Sequence, residues 1–252
     1  MHPQAERLAA GHAGRLAAAA PGLLVALHVV GSAVLDDYLP GRSDLDVVGE
    51  LGREPTGADL AALAAVHREW PMVEAVYVTS VDLDGPVSAA ATGPWALEGR
   101  LDTTERAFGL NPVTWQQLRD HAETVFGRPP HPVVDAGEVA AFCRANLGEY
   151  WLPLLDRAAA KIEPKADDEP IPADIVVWMA LGPPRLWHTV TTGEIVSKSR
   201  AGRLAAASWP DLAAPLAEIV EAHRRPDTTL SARHARAAVT LGRRAATAAG
   251  AG

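Results

Sequence analysis

The chain has 252 residues, 48% of them hydrophobic and 21% charged, with a formal net charge of −8. That length buries a sizeable core, as one large domain or two modest ones, and the composition excludes a disordered chain. The acid excess argues against broad nucleic-acid binding and suits a cationic small substrate.

Cys143 is the single cysteine, which excludes an intrachain disulfide framework or a cysteine-based zinc site. A lone thiol agrees with a reducing compartment, so a soluble, cytoplasmic protein is expected. Residues 3 to 20, rich in Ala and Leu, predict an amphipathic helix stopped at Pro21-Gly22. Glu6, Arg7, His12 and Arg15 interrupt this stretch, which therefore reads as neither a secretory leader nor a membrane span. Leu23 to Val30 predicts the first central strand, with His28 inside it as a core histidine.

Gly31-Ser32 then turns the chain, and after eleven residues Asp44-Leu45-Asp46 opens a second strand that runs to Leu51. Gly31 lets backbone approach a phosphate, and the Ser32 amide and hydroxyl can donate to its oxygens. In extended chain Asp44 and Asp46 project to one face, where two carboxylates repel. Mg²⁺ relieves such a pair, because it takes one or two carboxylates together with phosphate oxygens. Asp36 and Asp37 in the intervening excursion read as exposed acids.

Gly57 to Trp70 predicts a helix, and Met72 to Thr79, rich in β-branched and aromatic residues, a third strand. Glu74 is the odd residue in that strand: an acid among apolar neighbours must face solvent or a site. Asp82 and Asp84 precede Gly85-Pro86 and read as turn residues. Residues 85 to 111 carry no clear periodicity; Trp95 and Trp115 both read as packing aromatics, though Trp95, in a loop, could instead stack a sugar or base. Asn111-Pro112 starts a helix expected to reach about Val125. The run FGRPPHPVV then marks a boundary between domains at 1–130 and 131–252.

Everything beyond reads helical. Residues 138 to 151 predict one helix, 154 to 161 a short second one, and EPKADDEPIP a loop. Asp174 lies at the start of a buried helix that Gly182-Pro183-Pro184 should interrupt and Gly193 should stop. Ser197 caps the next helix, which places Lys198, Ser199 and Arg200 in its first turn. Cations there point either to a bound anion or to pairing with an acid such as Glu194. Residues 212 to 224 and 230 to 249 predict two closing helices.

The Gly-Ser turn followed by Asp-x-Asp resembles the nucleotidyltransferase superfamily of DNA polymerase β. VEAVYV, residues 73 to 78, resembles the strand carrying the catalytic glutamate of the adenylyltransferases that modify streptomycin and spectinomycin. RLWHTVTTGEIVSKSRAGRLAA, residues 185 to 206, resembles their C-terminal domain. The resemblance implies an α+β chain: a polymerase β-like nucleotidyltransferase domain with a mixed sheet flanked by helices, then an α-helical bundle that completes the ATP and substrate site. It implies ATP- and Mg²⁺-dependent transfer of AMP to a hydroxyl of an aminoglycoside-type antibiotic. Gly31, Ser32 and Ser43 would bind nucleotide phosphates, Asp44 and Asp46 would hold magnesium, and Glu74, beside the metal, would be the general base. Arg185 and Lys198 would reach the ATP phosphates, and Trp95, Asp174 and Trp178 would meet the substrate. The expected protein is a monomer with a small-molecule substrate and no nucleic-acid or membrane partner. Transfer to another hydroxylated metabolite or to a protein, or nucleotide binding without catalysis, stay open beside this expectation.

Overall fold

A six-stranded mixed sheet organises the N-terminal half of the chain. The computed structural model describes residues 1–90, 92–105, 107, 109–225 and 227–251, and the chain divides into two units, Met1–Asp135 and Ala136–Gly252.

In the first unit, helix α1 (Pro3–Ala19) precedes β1 (Leu24–Val29), and a 3₁₀ turn at Gly31–Ala33 leads to β2 (Leu45–Leu51). Helix α2 (Gly57–Glu69) then carries the chain to β3 (Val73–Thr79), which pairs parallel to β2, as a parallel pair requires a crossover. Thr56 and Asp59 cap α2 reciprocally, Asp59 accepting from the Thr56 amide at 2.7 Å. The short α3 (Ser80–Leu83) follows, then β4 (Trp95–Leu97), β5 (Arg100–Asp102), α4 (Pro112–Asp120) and β6 (Glu123–Phe126). The spatial order is β5-β4-β3-β2-β1-β6, antiparallel except between β2 and β3.

Alternation along the strands gives each face its own core. Leu27, Val29, Leu45, Val47, Val73 and Ala75 pack against Ala9, Leu16 and Leu63 from α1 and α2. On the opposite face Val30, Val48 and Val78 pack with Leu83, Val87, Trp115 and Leu118.

Several expectations change here. Asp82 lies in α3, where Thr79 caps its amide, so it is helical and only Asp84 lies at the turn. Trp95 is in a strand, not a loop, because β4 and β5 close a hairpin in which Glu98 and Gly99 both adopt positive φ, 49° and 76°. The helix from Asn111 ends at Asp120 and the next residues become β6: pairing with β1 and the Thr124 hydroxyl on His28 Nδ1, at 3.0 Å, outweigh the local helical pattern. Asp37 is buried, its amide donating to the Ser32 carbonyl at 3.1 Å, while Asp36 stays exposed.

The second unit is helical. Helix α5 (Ala136–Ala145) passes through a π-helical turn (Asn146–Trp151) into α6 (Leu152–Ile162), one continuous run in place of the two separate helices expected. A two-residue pairing of β7 (Pro170–Ile171) with β8 (Leu230–Ser231) ties the loop after α6 to the last helix. Helix α7 (Ala173–Thr192) packs against α5, α8 (Lys198–Ser208), α9 (Ala213–Arg224) and α10 (Ala232–Ala248). Gly182-Pro183-Pro184 does not interrupt α7. Gly182 leaves room for the Trp151 indole, whose Cη2 would lie 2.6 Å from a Cβ there, and Pro183 packs beside Gly242. Packing therefore offsets the two backbone donors the prolines remove. Gly193 ends α7 in the left-handed conformation, φ 76°. Among the described residues no helix is long and apolar enough to cross a membrane.

Candidate nucleotide and metal site

The start of the 3₁₀ turn after β1 is held by its neighbours. The Val30 amide donates to the Asp46 carbonyl at 3.0 Å, and the Gly31 amide donates to Gln117 Oε1 at 2.8 Å. Gly31 has φ +68°, and its Cα lies against the Asp46 carboxylate: a Cβ there would collide with Oδ2 and stand 2.7 Å from Cγ. Only glycine satisfies both the left-handed backbone and that approach.

Asp46 and Glu74 are Cα partners in the parallel β2–β3 ladder, so both side chains leave the same face of the sheet. Each is half-buried. Strand β2 begins at Leu45, one residue later than expected, which leaves Asp44 exposed just outside it. Asp44 makes itself felt at Tyr38: burial first, and the Asp44 charge second, push the phenol pKa above its usual value.

Ser32 is half-exposed on the turn and Ser43 closes the preceding loop, its Oγ accepting from the Leu39 amide at 3.0 Å. The Ser43 hydroxyl proton is still available to donate. Among the described residues no three or more His, Cys, Asp or Glu side chains form a ready metal cluster. The donor set that exists, Asp46 and Glu74 in register with Asp44 close by in the chain, fits Mg²⁺ that arrives with phosphate oxygens and water.

Further along the same face lies a set that the sequence reading passed over. Glu50 is 1% exposed and receives the Ser80 hydroxyl at 2.5 Å, with Arg128 Nη2 at 3.5 Å and His28 Nε2 at 3.8 Å. Burial lowers the His28 pKa to about 4 against the opposing attraction of Glu50, so His28 is neutral near pH 7 and this contact is no ion pair there. The available signal was an acid inside an apolar strand, the same one that singled out Glu74.

Trp95 packs on the second core of the sheet, and its indole N–H donates to the Glu105 carbonyl at 3.1 Å. Trp95 is therefore a packing residue, as the sequence reading has it, and only its placement in a loop is corrected.

In the second unit, Arg185 is half-buried on α7 and its Nε donates to the Val196 carbonyl at 3.1 Å, binding it to the segment before α8. Ser197 caps α8 by accepting from the Arg200 amide at 3.3 Å, with Lys198 exposed in the first turn. Arg200 stands 3.5 Å from Glu194, which also lies 3.6 Å from His188, so for Arg200 the pairing alternative holds. Asp174 and Trp178 are exposed one turn apart on α7, and Trp178 packs against Trp151 and Tyr150 with centroids 4.8 and 6.3 Å away. The π-helical turn that presents Tyr150 and Trp151 has no local sequence signal.

No protein-family model matches the sequence, and no curated protein matches it. The chain is similar in structure to spectinomycin adenyltransferase AAD(9) from Enterococcus faecialis, solved with ATP and spectinomycin. The TM-score is 0.69 at 15% identity, over 93% of this chain and 97% of that chain. The likeness establishes the architecture: an α+β nucleotidyltransferase fold with a helical C-terminal region.

Proposed function

We propose that this protein transfers AMP from ATP to a hydroxyl of an aminoglycoside-type substrate of the streptomycin and spectinomycin class. The observation that carries the reading is the in-register pair Asp46 and Glu74 beside the Gly31-Ser32 turn. The fold shared with an adenyltransferase solved with ATP and spectinomycin supports the substrate class, and the net charge of −8 suits a polycation.

Ser32 and Ser43 donate to the nucleotide phosphates, and Arg185 and Lys198 supply cations to them. The substrate hydroxyl attacks the α-phosphorus, forming the new O–P bond as the bond to pyrophosphate breaks. Glu74 takes the hydroxyl proton. Asp44 and Asp46, with Glu74 alongside, would hold Mg²⁺, which when bound would supply charge neutralisation at the phosphoryl centre. Asp174 and Trp178 offer a carboxylate and an aromatic face to the amino-sugar.

Incubation of the full chain with ATP, MgCl₂ and each of streptomycin and spectinomycin, followed by mass spectrometry, should show a product heavier by one AMP. If neither drug gains that mass while the chain still binds ATP, the substrate class is wrong. If ATP does not bind, the nucleotidyltransferase reading fails.

A further inference from the structure

We infer that Gln117 is a positioning residue for the nucleotide phosphates: by accepting the Gly31 amide it holds the turn in place and makes Ser32 the phosphate donor. The inference rests on the nucleotidyltransferase reading above.

Gln117 is 7% exposed, on the last turn of α4, and its Oε1 receives the Gly31 N–H at 2.8 Å. That bond consumes the first amide of the turn. The next donors, the Ser32 backbone N–H and hydroxyl, carry no hydrogen bond among the described residues. They therefore remain for a ligand oxygen. Val30 fixes one side of the turn to β2 through the Asp46 carbonyl, and the Asp46 carboxylate fills the space under Gly31. Gln117 is the third tether at Gly31 and comes from outside the two strands, while at the far end of the turn the His2 amide donates to the Ala33 carbonyl at 3.4 Å. Without it the Gly31 amide would be an unsatisfied donor, free to rotate toward a phosphate or water and to carry Ser32 out of line.

The test compares the full chain with Gln117→Met, which keeps length and volume and removes the acceptor. Calorimetric titration with ATP and MgCl₂ should show affinity reduced at least tenfold, at a temperature where circular dichroism shows both chains folded. A role confined to stability would lower the melting temperature and leave that affinity alone, so ATP binding within twofold of the parent overturns the inference. Amide exchange in the unsubstituted chain supplies a second measurement. Gly31 should be protected before ATP is added, and Ser32 should become protected only afterwards; a Gly31 amide that exchanges at the free rate without ATP overturns it as well. Absence of ATP binding in the unsubstituted chain overturns the nucleotide reading and this inference with it.

Discussion

Asp46 and Glu74 face each other across the parallel β2–β3 ladder, paired residue to residue. Their carboxylates leave one face of the sheet next to a turn whose Gly31 can carry no side chain. Two acids held this way repel unless cations or protons relieve them, and the proposed reaction uses both remedies.

Glu74→Gln removes the proton acceptor and keeps the side-chain shape. Turnover of AMP transfer should fall about 10²- to 10⁴-fold, with the ATP KM changed only a few-fold. Asp46→Ala should abolish transfer and leave the far-ultraviolet dichroism unchanged. More than a tenth of parental turnover in Glu74→Gln would remove Glu74 from the base role.

Gly31→Ala introduces a methyl group onto the Asp46 carboxylate at a φ of +68°. The left-handed conformation alone costs about 1–2 kcal/mol for a residue with Cβ. A lower urea midpoint and at least a tenfold loss of AMP transfer are expected together, because the same displacement strains the turn and moves Asp46. Parental stability with parental activity would show that the turn has room the close approach denies.

Tyr38→Phe should stabilise the protein. The Tyr38 hydroxyl is buried with no hydrogen-bond partner among the described residues, and the Asp44 charge nearby disfavours its ionisation. Removing an unsatisfied buried hydroxyl gains about 1 kcal/mol, which corresponds to a rise of about 2–4 °C in Tm. A lower Tm would mean that the hydroxyl is bonded in solution.

The first unit should lose stability in mild acid. Burial lowers the pKa of His12 to about 3, helped by the facing His67, and that of His67 and His28 to about 4, from 6.5. Their folded-state pKa values lie below the unfolded ones, so stability is intact above pH 6.5. As pH falls toward 4 the unfolded chain binds protons that the folded chain refuses. Each fully titrating histidine then removes up to about 1.4 kcal/mol per pH unit. The urea midpoint should drop steadily from pH 6.5 to 4.5, less steeply in His12→Leu, whose parent ring nitrogens have no hydrogen-bond partner among the described residues. A flat profile over that range would contradict the burial of these rings.

Legibility followed length and period. β1, β2 and β3 are six- or seven-residue apolar runs bounded by Gly, Pro or polar residues, and the sequence displays them within a residue or two. β4 and β5 have three residues each and β6 four, too short for alternation to show, and they exist because neighbouring strands supply partners. The continuity of α7 through two prolines depends on Trp151 occupying the space beside Gly182, a contact remote in sequence. Gln117 carried no motif at all; only the folding of α4 against the Gly31 turn gives its amide carbonyl a partner.

From residue order alone came the chain's two-part character, a Gly-Ser turn, and the acids at 44, 46 and 74 on strands or their ends. Which acids meet was decided by tertiary structure. The apolar sets Leu45, Val47, Leu51 and Val73, Ala75, Tyr77 must bury on one face against α1 and α2. That burial locks the β2–β3 register, because a slip of one residue would turn every side chain of a strand to the wrong face. With Leu45 opposite Val73, Asp46 falls opposite Glu74.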